Sequence, residues 1–142
     1  MRFSLSATPI DITSIRPTLQ RPDAGGFCSF EGWVRNHSHG KDVLRLEYEA
    51  YTALAVKEGE KILTELCEKY PVLDIKAIHR TGSLEPGELA VWIGVCSRHR
   101  KAAFEVCELA IGEIKKRVPI WKREFYSEKE SVWVDNTCCA HP

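Results

Sequence analysis

The spacing of hydrophobic and polar positions changes period several times along these 142 residues. Residues 2–7 alternate as a short strand does. Residues 11–20 predict a short helix, capped by Asp11 and limited by Pro17. Gly25-Gly26 opens 27–34, which has strand composition. The polar stretch 35–42, with Gly40, predicts a loop. Val43, Leu44, Leu46, Tyr48 and Ala50 give another strand over 43–50. Across 52–70 the apolar positions Ala55, Ile62, Leu63, Leu66 and Tyr70 form a helical face, and Pro71 stops it. Strands at 75–81 and 88–96 flank a Gly/Pro loop, GSLEPG. Ala103, Val106, Cys107, Ala110 and Ile114 mark one face of a helix over 98–117, with Ser97 as its expected N-cap. Residues 120–126 and 131–134 predict a terminal hairpin. The order is α+β, with mixed or antiparallel pairing.

Length and a hydrophobic content of 44% fit one domain over 1–142 with a real core. The tail 135–142 is expected to be flexible. Twenty basic residues balance twenty acidic ones, which argues against a general nucleic-acid binder. The N-terminus has no continuous apolar signal region, and the strongly apolar run 89–96 is too short to span a bilayer. A cytoplasmic protein with no membrane association is the expectation. The six cysteines should then stay reduced. None forms a C-x-x-C pair, so no metal site is expected. Cys28, Cys96 and Cys107 read as core thiols, and Cys138-Cys139 as tail thiols.

The cations are clustered, which suits a small anionic ligand better than a polymer. In 115–123, five of nine residues are basic and none is acidic. Pro119 should end the helix near Val118, so Lys115 and Lys122 ride on two elements that meet at a turn and can face one anion. Lys116 and Arg117 also complement a helix C-terminus. Lys115 shares a row with Phe104 and Ile111, where an amine is either desolvated and reactive or snorkels into water. A second cluster, Arg98-His99-Arg100-Lys101, opposes the macrodipole at a helix start, where free N–H groups favour an anion. A third, Arg35 and His37, follows a strand directly, a common place for ligand contacts.

Several ordered segments resemble one family, the large, catalytic subunit of molybdopterin synthase (MoaE). They are FEGWVRNHSHGKDV (30–43), LEYEAY (46–51), IHRTGSLEPGE (78–88), SRHRKAAFEV (97–106) and KKRVPIWKRE (115–124). The resemblance implies an α/β hammerhead with an additional antiparallel β subdomain. It implies a sulfurtransferase without cofactor, acting in molybdenum cofactor biosynthesis. The sulfur donor would be the C-terminal Gly-Gly thiocarboxylate of a small ubiquitin-like sulfur-carrier subunit. The acceptor would be cyclic pyranopterin monophosphate, which becomes the dithiolene of molybdopterin after two transfers. A homodimer would sit at the centre of a two-plus-two heterotetramer.

Carried onto this sequence, the family pattern assigns catalysis to Lys115 and Lys122. Together with Arg35, His99 and Arg100 they would hold the substrate, and His37 joins the set from its place in the 35–42 loop. Arg35, His99 and Arg100 are expected to converge on one pocket. Some relatives add a basic residue from the C-terminal tail across the dimer; here the tail offers only His141. Leu54 stands where many relatives have Met, a swap of similar volume. Two other function classes stand beside it: a module that binds a nucleotide-like anion or RNA through the same cations and aromatics without chemistry, and a scaffold that only docks a ubiquitin-like partner. The scaffold would need neither Lys115 nor Lys122.

Overall fold

The computed structural model describes residues 1–127 and 130–135; Cys138, Cys139, His141 and the rest of the tail lie outside them. Its strands are β1 (Phe3–Ser6), β2 (Gly26–Trp33), β3 (His37–Ser38), β4 (Lys41–Asp42), β5 (Arg45–Ala50), β6 (Asp74–Arg80), β7 (Gly82–Leu84), β8 (Leu89–Ser97), β9 (Ile120–Phe125) and β10 (Ser131–Asp135). Its helices are α1 (Ile12–Ile15), continued by a 3-10 turn at Arg16–Leu19, α2 (Thr52–Lys69) and α3 (Arg100–Arg117). The chain is α+β, as its patterning predicts.

Two four-stranded sheets carry the fold. The first has the order β1-β6-β8-β2, with β1 parallel to β6 and the other pairs antiparallel. The second, β10-β9-β5-β7, is antiparallel throughout. The helical faces read from the sequence are the buried ones. Ala55, Ile62, Leu63 and Leu66 of α2, and Ala103, Val106, Cys107, Ala110 and Ile114 of α3, all lie in the core. One cluster of buried side chains joins these helices to both sheets through Ile75, Val91, Ile93, Leu46, Leu84 and Ile120. The opposite face of the first sheet is closed by Leu19 against Trp92 and Cys96.

Three local expectations are corrected. The segment GSLEPG is not only a loop: Gly82–Leu84 is a strand, pairing with β5 as Leu46↔Leu84 and Tyr48↔Gly82. Gly82, at φ +92°, adopts the backbone turn that carries the chain from one sheet to the other. Residues 35–42 hold a miniature hairpin, because His39 (φ 50°) and Gly40 (φ 78°) form a tight turn between β3 and β4. Ser97 is not the N-cap of α3. It stays in β8, paired with Gly26, and its hydroxyl donates to the His99 carbonyl at 2.5 Å; His99 is the N-cap.

Helix α2 lies close against β1. A Cβ at Gly59 would come within 2.3 Å of the fully buried Phe3 ring. Gly59→Ala gains roughly 1 kcal/mol of helix propensity and incurs about 1–3 kcal/mol of overpacking. The variant is expected to be less stable in urea unfolding despite the better helix former, and adding Phe3→Leu should recover part of the loss.

Candidate active site

Val34, the residue after β2, is buried, and its backbone is pinned to the β7–β8 connection: its N–H donates to the Glu88 carbonyl (3.0 Å) and its carbonyl accepts from Gly87 (2.8 Å). A register shift at Gly32/Trp33 turns the strand end just before this anchor. Arg35 is thereby held at the mouth of a concavity of about 440 Å³, a volume typical of small-molecule sites.

The far wall comes from the break at Pro119. Helix α3 makes its last backbone bond from Val118 N–H to the Ile114 carbonyl (3.1 Å), and Val118 turns extended (ψ 126°). Strand β9 begins at Ile120 and alternates, so Ile120, Lys122 and Glu124 point inward while Trp121 faces out. Lys122 is 4% exposed and Glu124 2%. Across the ladder Lys122 pairs with Tyr48 and Glu124 with Leu46. The half-buried Lys115, in the last turn of α3, lines the same concavity. Thus Arg35, His37, Lys115 and Lys122 share one pocket, floored by Val34, Leu46 and Val91.

The five cations of 115–123 divide by task. Lys115 and Lys122 enter the pocket. Lys116 is exposed. Arg117 ties α3 to α2: it donates to Glu58 (3.1 Å) and Glu65 (3.0 Å), with Glu113 at 3.5 Å. Its pKa is raised, chiefly by the hydrogen bond to Glu65, while burial opposes the shift. Arg123 braces the hairpin, donating to the Ser131 hydroxyl at 2.8 Å and lying over the Trp133 ring.

His99 and Arg100 are exposed and do not reach this pocket within one chain. They begin the helix that Lys115 ends. Fifteen residues at 1.5 Å each put about 22 Å between the two clusters. The expected convergence with Arg35 therefore fails inside a single copy. Phe104 is also exposed, at 58%, so the enclosure of Lys115 comes from the pocket and not from its helical row.

Sequence reasoning missed three residues here. Glu124 sits two positions from Lys122, and the strand period alone puts both on one face. Its carboxylate accepts from the Tyr126 hydroxyl at 3.2 Å. Tyr48 lines the pocket and packs edge-on against the buried His79, with ring centroids 5.0 Å apart. His79 continues the inward row Ile75, Ala77 of β6. Burial, helped by the nearby positive charge of Lys115, lowers its pKa to about 4 against the opposing hydrogen bond to the Arg80 carbonyl.

Among the described residues no His/Cys/Asp/Glu group could hold a metal ion, and no helix is long and apolar enough to cross a membrane. The described cysteines, Cys28, Cys67, Cys96 and Cys107, are unpaired, and none lines the pocket. Burial raises the pKa of Cys67 and Cys96 and pushes Cys107 up to about 12, where contact with Cys28 adds to the effect.

Fold and pocket together define an α+β protein in which two amines and a guanidinium line one concavity. Comparison with known proteins gives that class a family. The family described as MoaE protein matches residues 5–117. The molybdopterin synthase catalytic subunit of Bacillus subtilis (strain 168) is 43% identical over 133 residues, covering 94% of this chain and 84% of its own. That of Pyrococcus abyssi is 43% identical over 111 residues, covering 78% of this chain and 74% of its own. The crystal structure of molybdopterin synthase from Staphylococcus aureus superposes with a TM-score of 0.88 at 37% identity, covering 93% of this chain and 96% of that one. The chain belongs to the MoaE family.

Arg117 separates structural from chemical cations. Arg117→Ala should lower the melting temperature by roughly 2–4 °C without reducing turnover. The Arg117 hydrogen bond holds the Glu65 carboxyl below its ordinary value, so that part of the stabilisation is present at neutral pH and lost as pH falls through the lowered value. Melting curves of wild type and variant should therefore converge in acid. An undiminished gap there would rule out the carboxylate network.

Proposed function

We propose that this chain performs the sulfur transfer of molybdopterin synthase, moving sulfur from the C-terminal thiocarboxylate of a small ubiquitin-like subunit onto cyclic pyranopterin monophosphate. The observation that carries the reading is the delivery of Lys115 and Lys122, from a helix end and a buried strand face, into one pocket with Arg35. The relatives' description as a catalytic subunit supports a second, donor subunit. The free thiols among the described residues fit the reducing cytoplasm as its place of work.

The physical problem is to bring two anions together, a phosphorylated pterin and a thiocarboxylate. Positive charge fixed in a water-poor site lowers that barrier, because it needs no reorganisation when charge moves. Arg35, at the mouth, takes the phosphate side of the substrate with His37 beside it. Lys122 is held by β9 and stabilises the charge that develops as the thiocarboxylate sulfur bonds to a pterin carbon, displacing an oxygen substituent there, and as water then cleaves the acyl carbon–sulfur bond and leaves the tail as a carboxylate. Lys115, on a flexible stem, acts as proton donor and acceptor or as a transient amine nucleophile. Glu124 offsets the buried charge of Lys122, which would otherwise be costly. A glycine-rich donor tail suits a narrow entry, since glycine lets backbone pass where side chains would not.

His99 and Arg100 can serve this substrate only from a second copy of the chain. Such a requirement agrees with a homodimer carrying one small subunit at each end. Their cations then lie on the surface of one protomer for use by its neighbour, which explains why a helix start tolerates them against its own macrodipole.

The direct test is incubation with thiocarboxylated partner and cyclic pterin, followed by assay for molybdopterin. Lys115→Ala should lose about 100-fold or more of the activity while keeping fold and partner binding; near-wild-type turnover would exclude a chemical role. Lys122→Ala should be severely impaired.

A mixing experiment tests the shared site. Lys115→Ala and Arg100→Ala chains, each inactive or poor alone, should regain activity when unfolded and refolded together, because mixed dimers contain one intact pocket. Failure to complement, with dimers verified by sedimentation, would remove Arg100 from the neighbour's site.

A further inference from the structure

His79 is a polar ring in a position built for an apolar one. It is 1% exposed, on the inward row of β6 that otherwise carries Ile75 and Ala77, and it pairs in register with Val91. Its Nδ1 lies 2.8 Å from the Arg80 carbonyl oxygen. A carbonyl only accepts, so Nδ1 carries the proton. Burial keeps the ring neutral across the physiological range, which leaves Nε2 as a bare lone pair. That Nε2 is buried and makes no hydrogen bond in this conformation of the side chains. An orphaned buried acceptor is destabilising, and a leucine or phenylalanine would fill the space without that loss.

Two neighbours tie this lone pair to the pocket. The ring meets the edge of Tyr48, which lines the concavity, at 5.0 Å. The positive charge felt at the imidazole is that of Lys115. The acceptor is thus fixed by its own backbone bond, stays neutral at working pH, and lies behind Tyr48 of the pocket wall, within the field of the Lys115 amine.

We propose that His79 is a positioning residue for Lys115: its Nε2 accepts an N–H of the lysine amine, and so sets the direction in which the remaining amine valences face the substrate. The proposal rests on the reading of Lys115 as the reacting amine and extends it one layer back. A neutral acceptor suits this purpose better than a carboxylate. It orients the amine without adding a negative charge beside two anionic reactants. Nothing is consumed in this role, since the proton on Nδ1 stays where it is and Nε2 only shares a hydrogen.

The test has an arm without turnover. In ¹⁵N-histidine-labelled protein, the His79 signals should show the proton on Nδ1 and the lone pair on Nε2. Lys115→Met should move the His79 Nε2 resonance and leave those of His37 and His99 in place. A protonated Nε2, or an Nε2 signal indifferent to Lys115→Met, would overturn the proposal, and neither result depends on His79 variants folding. In the second arm, His79→Phe should lower kcat roughly ten- to hundredfold with KM for the cyclic pterin little changed, and His79→Gln, which keeps an acceptor, should recover most of it. Full kcat in folded His79→Phe, or a Gln variant no better than Phe, would assign the ring to packing alone. Full turnover in Lys115→Met would defeat the sulfur-transfer role of the amine while the resonance shift still reported the contact.

Discussion

Pro119 is the constraint on which the arrangement turns. To continue α3 by one residue, position 119 would have to donate its backbone N–H to the carbonyl of Lys115, and proline has none. The helix ends at Arg117 with Val118 as its extended C-cap, and the chain re-enters as β9. That exit does three things at once. It leaves Lys115 on the last turn, it swings Lys122 round to face it, and it moves the chain from the helical layer into the second sheet. The core is continuous across this corner, with Ile114, Val118 and Ile120 all buried. The pocket is therefore a by-product of how one layer is stitched to the next.

Charge burial follows from the same geometry. A strand alternates, so once Ile120 is committed to the core, Lys122 and Glu124 must follow it inward. An isolated buried ammonium would shed its proton or unfold the strand. Lys122 and Glu124 set opposite charges on one face, framed by Tyr48 and Leu46 of the neighbouring strand, so neither is buried on a wholly apolar surface. Arg123, on the other face, meets Ser131 and Trp133. The hairpin thus holds apart cations that are adjacent in sequence.

Much of this was legible in the chain. The helical faces, the stop at Pro71, the corner at Pro119 and the terminal hairpin follow from period and punctuation, because each is decided within a few residues. Gly82–Leu84 was not, since a three-residue strand has too little pattern to be seen without its partner β5. Glu124 and His79 were readable in principle, by extending the rows that begin at Ile120 and Ile75. The separation of Arg100 from Lys115 is likewise plain arithmetic along one helix. What no single chain contains is the surface that would reunite them. Family likeness marks residues that work together, and it is silent about which copy each one comes from.

The four described cysteines lie away from the pocket, and burial suppresses ionisation of Cys67, Cys96 and Cys107. Only a thiolate attacks sulfur or acyl carbon at a useful rate. A protein that receives an activated sulfur atom thereby keeps these four thiols out of the exchange. The cargo meets amines and a guanidinium, none of which can form a persulfide or a mixed disulfide with it. Chemical insulation of this kind favours the pterin as the destination: among the described residues, sulfur that leaves the donor tail meets no thiol in the pocket on which to be stranded.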